Sequence, residues 1–87
     1  MNKVKLWGQL KHLGGTEYLE VADAATVDEL VIKIAEQKEE LAHMLVSEGQ
    51  PNHSILVFIN DQQHLWGSDG QIKESDSLTL MSPIAGG

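Results

Sequence analysis

The sequence predicts an α+β fold: a small mixed β-sheet with one main helix packed on one face and a flexible C-terminal Gly-Gly tail. Three observations predict it. Apolar and polar residues alternate near both ends of the chain, at Val4, Leu6 and Leu10 and again at Leu78 and Leu80, the two-residue period of strands with one buried face. Between them Val27, Leu30, Val31, Ile34, Leu41 and Leu45 recur at three- and four-residue steps, the period of a helix with one apolar stripe. Ser54 to Ile59 is short, β-branched and apolar on both parities, which suits a strand inside a sheet.

The first alternation leads into the turn-rich stretch His12-Leu13-Gly14-Gly15 and then a second extended run from Thr16 to Val21, so an N-terminal β-hairpin is expected. Thr26 is followed three residues later by Glu29, the spacing at which a hydroxyl and a carboxylate satisfy two free helical N–H groups, and a helix starts there. Lys38 interrupts the apolar stripe, implying a bend or two consecutive helices. Gly49 and Pro51 supply the stop, since glycine tolerates the left-handed conformation and proline cannot continue a helix. Asn60-Asp61 marks a turn after the apolar strand. The polar stretch from Gln62 to Ser77 reads as connections around a short edge strand at His64-Leu65-Trp66. Ser77 to Ser82 is the last strand, ended by Pro83, which has no N–H for a ladder. With Val4, Leu6, Leu78 and Leu80 facing the helix, Trp7 and Met81 face away from it; the alternative packs Trp7 into the core.

Eighty-seven residues leave room for one small domain. Thirteen acids against six bases give a net charge of −7, which opposes nucleic acid and anionic membrane as partners. All six cations are lysines, so no guanidinium fork is present to clamp a phosphate. With no cysteine, thiolate nucleophiles, side-chain persulfides and sulfur-ligated zinc are excluded. The N-terminus lacks the apolar core of a signal peptide, and a cytoplasmic protein is expected.

No catalytic residue and no metal site emerges. His12, His43, His53 and His64 are scattered without paired ligand spacing and read as surface histidines. Asp69, Glu74 and Asp76 do not follow a calcium loop and read as a solvated acidic connection. Glu36, Glu39 and Glu40 beside Lys33 and Lys38 read as a salt-bridged exposed helix face.

The chain finishes Asp76-Ser77-Leu78-Thr79-Leu80-Met81-Ser82-Pro83-Ile84-Ala85-Gly86-Gly87, and an earlier run reads Val57-Phe58-Ile59-Asn60. With the element order above, these motifs make the whole chain resemble the ubiquitin-like sulfur carriers of the MoaD/ThiS family. Ser75-Asp76 stands where that family often has Gly-Asp, and Ser82-Pro83 where it often has two prolines. The resemblance implies a ubiquitin-like β-grasp domain over residues 1–83 and a diglycine tail over 84–87. It implies that Gly87 is adenylated with ATP by a ubiquitin-activating-type (E1-like) enzyme and converted to a thiocarboxylate. The domain itself would bind no cofactor; the covalent sulfur on Gly87 is its cargo.

The implied partners are that adenylating enzyme, a sulfur acceptor such as a molybdopterin-synthase large subunit, and a metal-dependent peptidase that trims cargo or conjugates. Molybdopterin, cysteine and thiamin-type pathways all fit, the chain's length favouring the first two. Gly86 and Gly87 would let the backbone enter a narrow tunnel without a β-carbon clash, with Ala85 preceding them in the tail. Trp7, Phe58, Met81, Pro83 and Ile84 are the candidate partner interface, supplying binding energy away from the reacting atom. Two readings compete: a ubiquitin-like modifier conjugated through Gly87 to lysines of other proteins, and a β-grasp binding domain with an inert tail.

Overall fold

The structure, a computed structural model, describes residues 1–82. The chain runs β1 (Asn2–Trp7), α1 (Gln9–Gly14), β2 (Tyr18–Val21), α2 (Val27–Gln37), α3 (Glu39–Leu45), β3 (Val46–Ser47), β4 (Gln50–Pro51), β5 (Leu56–Ile59), β6 (Gln62–His64) and β7 (Ser77–Met81). Five strands form one sheet in the order β2-β1-β7-β5-β6, and β3 and β4 pair separately. β1 and β7 are parallel, while the other pairs are antiparallel. The α+β expectation of a mixed sheet under a helical layer therefore holds.

β1 and β2 do pair antiparallel, Val4 opposite Leu19, but no tight hairpin joins them. The expected turn at His12 to Gly15 is instead the short helix α1 with its left-handed cap at Gly15. Leu10 accordingly leaves the strand alternation and is buried as a helical residue. Gly8 turns the chain from β1 into α1 at φ 61°, ψ −131°, a region that side chains with a β-carbon avoid.

Thr26 caps α2 as its spacing implies: its Oγ1 accepts from the Glu29 N–H at 3.1 Å. The Glu29 carboxylate reaches back one residue further than expected, accepting from the Ala25 N–H at 3.0 Å. Lys38 divides the helical stretch in two. Its backbone leaves the helical region, at φ −125° and ψ 89°, so α2 ends and α3 begins around it. α3 stops earlier than Gly49. Asn52 binds its last turn, the Asn52 N–H donating to the Leu45 carbonyl at 2.8 Å and the side-chain amide to the Met44 carbonyl at 2.9 Å. Glu48 and Gly49, both at positive φ, then form the tip of the small β3–β4 ribbon, the backbone that a two-residue hairpin turn needs.

The helices cover one face of the sheet. Val4, Leu6, Val57, Leu78 and Leu80 meet Val27, Leu30, Val31 and Ile34 of α2 and Leu41 and Leu45 of α3, all buried. Asn60 and Asp61 form the expected turn, both at positive φ. The edge strand lies two residues earlier than expected, so Trp66 sits beyond it, donating its indole N–H to the Ile55 carbonyl at 2.9 Å.

Two sequence expectations need correction here. His64 is not a surface histidine: it pairs with Val57 on the inward parity, is buried, and lies edge-on to Trp66. Glu36, Glu39 and Glu40 have no cation within ion-pair reach among the described residues. Lys33 turns away to donate to the Ala22 carbonyl at 3.3 Å.

Candidate functional site

The face of the sheet opposite the helices is open, and strand register decides what it presents. The row nearest the end of β7 is Trp7, Met81 and Leu56 on three adjacent strands. The next row is Tyr18, Lys5, Thr79, Phe58 and Gln63. The open face is therefore apolar where β7 leaves the sheet and grows more polar behind. Trp7 is 48% exposed, Tyr18 44% and Leu56 37%, while Phe58 and Met81 are half-buried. Lys5, Trp7, Phe58, Asp61, Thr79 and Met81 line one shallow depression. A cluster of exposed aromatic and aliphatic side chains on a sheet is costly to leave in water, which makes this face the candidate docking surface.

Lysines border this patch on the β1 side. The Lys3 ammonium lies 4.3 Å from the Tyr18 ring centre and that of Lys5 5.1 Å from the Trp7 ring centre, distances at which the negative faces of the rings attract a cation.

A polar knot fixes the strand that leads into the tail. Asn60, at the end of Val57-Phe58-Ile59-Asn60, donates its amide N–H to Asp76 Oδ1 at 2.8 Å, and its Oδ1 accepts the Ser77 N–H at 2.9 Å. The other Asp76 oxygen accepts the Lys73 N–H at 2.8 Å. The Asn2 amide donates to the Lys73 and Asp76 carbonyls at 2.7 and 3.0 Å. Asp76 is thus the pivot between the acidic connection and β7.

The backbone hydrogen bond from Lys73, then the Asn60 amide, hold its carboxyl below the ordinary value of 3.8. A depressed folded-state value means that ionised Asp76 contributes fully above the ordinary carboxylate range. That contribution is lost as pH falls through the lowered folded value. Asp76→Asn is therefore expected to lower the melting temperature at neutral pH, and the gap to the unmodified protein to close below about pH 4. A gap that is constant from pH 7 to pH 2.5 in thermal melts would remove Asp76 from this role.

Of the residues expected at the interface, Trp7, Phe58 and Met81 come together on the open face; Pro83, Ile84, Ala85, Gly86 and Gly87 lie outside the described residues. Leu56, on the same strand parity as Phe58, shares the face, as do Lys5, Asp61 and Thr79, to which the sequence does not point as interface. Alternation alone puts Lys5 and Thr79 on the parity of Trp7 and Met81; the row that brings in Leu56 depends on register between strands distant in sequence, and Asp61 reaches the depression from the turn after β5. Among the described residues no group of histidines and carboxylates is placed to hold a metal ion. No helix there is long and apolar enough to cross a membrane.

A mixed sheet with parallel first and last strands, crossed on one face by a helix and open on the other, is the β-grasp architecture of ubiquitin-like proteins. The class is that of a ubiquitin-like carrier domain. The ThiS family model matches residues 4–87, and the chain belongs to the ThiS family, within the MoaD/ThiS group of ubiquitin-like sulfur carriers.

Three solved structures bear the likeness out. The small archaeal modifier protein 1 (SAMP1) of Methanosarcina acetivorans superimposes with a TM-score of 0.81 at 24% identity, over 99% of this chain and 95% of that one. A chain of the BexX/CysO complex of Amycolatopsis orientalis gives 0.76 at 28% identity, over the full length of both. CysO of Mycobacterium tuberculosis gives 0.72 at 19% identity, over 94% of this chain and 98% of that one. No curated protein sequence matches the chain.

Proposed function

We propose that this protein carries sulfur on the α-carboxylate of Gly87. A carboxylate is ionised at neutral pH and resists nucleophiles, so it must first be activated. An adenylating enzyme of the ubiquitin-activating type joins it to AMP with release of pyrophosphate. A persulfide sulfur then attacks the acyl carbon, AMP leaves, and reductive cleavage of the S–S bond by a thiol leaves a thiocarboxylate. The chain is a substrate and carrier in this sequence, not the catalyst. Gly86 and Gly87 present no β-carbon, so the backbone passes through a narrow channel and the acyl carbon aligns with successive nucleophiles.

The observation that carries this reading is the family match running through residue 87, across the diglycine motif. The open face supports it, because the strand carrying Met81 leads toward that motif beside exposed Trp7 and Leu56. The acceptor is an enzyme that builds a sulfur-containing product, with a molybdopterin-synthase large subunit as the first reading. A cysteine-forming acceptor is the second; the full-length match at 28% identity to a chain of the BexX/CysO complex supports an acceptor enzyme without naming its product.

Intact-protein mass spectrometry of the chain from its own cells, under non-reducing conditions and beside a Gly87 deletion, tests the carrier role. Replacement of one oxygen by one sulfur, absent from the deletion, is the expected result. Unmodified chain accompanied only by adducts joined through Gly87 to lysines of other proteins would move the protein to the modifier class instead.

A further inference from the structure

The charges of this chain are unevenly placed. The segment from Met1 to Glu17 holds three of the six lysines, Lys3, Lys5 and Lys11, against one acid, Glu17. The helical layer with its small ribbon, residues 27–51, holds six acids and two lysines. β1 is the parallel neighbour of β7, so the basic region of an otherwise acidic protein lies along the strand that leads to the tail.

Glu17 does not cancel it. Lys5 Nζ lies 3.7 Å from one Glu17 oxygen and Lys11 Nζ 3.9 Å from the other, so two cations share one anion beside Trp7. These side chains and Gly8 line a groove. A β-carbon on Gly8 would stand 4.0 Å from Ser82 Oγ, which puts the groove at the root of the tail.

We infer that the Lys5–Lys11 edge is the electrostatic half of the docking surface, and that the partner it fits is an adenylating enzyme presenting an apolar socket for Trp7 and Met81 bordered by carboxylates. This rests on the carrier reading above. Adenylation requires an acidic protein to bring one more carboxylate up to a bound triphosphate, so the encounter is opposed by like charge at long range. A basic edge beside the tail meeting an acidic rim turns the molecule sheet-first. Charge complementarity of this kind sets orientation and on-rate more than final affinity. The acceptor enzyme, which holds no triphosphate for this step, has less need of the acidic rim.

The test is ATP–pyrophosphate exchange by the purified adenylating enzyme of the same organism, with the full-length chain as the varied substrate. Lys5→Glu/Lys11→Glu is expected to raise KM at least about tenfold at low salt with little change in kcat, and to abolish the rise in KM that salt causes for the unmodified chain. Lys33→Glu/Lys38→Glu changes the net charge equally but in the helical layer, and is expected to alter KM less than about twofold. Lys5→Gln/Lys11→Gln, which removes the charge without introducing repulsion, is expected to fall between. Equal effects of the two charge reversals, or an unchanged KM for the Lys5 and Lys11 variants, would overturn the inference while leaving the carrier role intact. No exchange with the unmodified chain would strike the carrier role itself and this inference with it.

Discussion

Leu80→Ala is expected to destabilise the protein by about 3–5 kcal/mol, the range for a large aliphatic side chain removed from a closed core. Leu80 is fully buried on β7, in the row between Leu6 of β1 and Val57 of β5. Neighbours on both strands and on the helices cannot all move to fill the space. A domain of this size has a total stability of about 4–13 kcal/mol, so the substitution removes a large share of it. Urea denaturation followed by far-ultraviolet circular dichroism measures the effect through the transition midpoint. A loss below about 1 kcal/mol would contradict the packing of the central row.

Trp7→Ala is expected to do the opposite: little to the fold, much to function. Its ring stands on the open face rather than in the core, so removing it changes the melting temperature by only a few degrees. In a docking surface, however, a buried aromatic anchor is worth about 2 kcal/mol or more. KM for this chain in the adenylation reaction should therefore rise roughly thirtyfold or more. Leu65→Ala is the control, because Leu65 is 65% exposed yet lies beyond the edge strand β6. Equal KM values for the two variants would mean that the open face is not where the partner sits.

Much of this was legible in the sequence because it depends on parity or local spacing. Trp7 and Met81 follow from the alternation of Val4, Leu6, Leu78 and Leu80 with polar neighbours, and the cap at Thr26 from a three-residue interval. Position across the sheet was not legible. Nothing local places Leu56 beside Met81 or brings Asp61 to the depression that Lys5 and Trp7 line, since those placements depend on pairing between distant strands. α1 escaped because six residues give less than two turns of periodicity, and its glycines look like a turn. His64 was misread because its burial follows from its pairing opposite the inward-facing Val57, which the scattered spacing of the histidines does not show.

The tail motif follows β7, the last strand among the described residues and the middle strand of the sheet. A ribosome that has delivered everything before Ser77 has made β1 and β5 but not the strand that joins them, so the nascent chain holds two half-sheets with facing unpaired edges. The longest closure, Lys3 to Ser77, has to wait until β7 has been made. The open face is thus finished only once β7 is in place: a chain cut short before Ser77 lacks the strand between β1 and β5, and Trp7 and Leu56 stay on separate pieces of sheet.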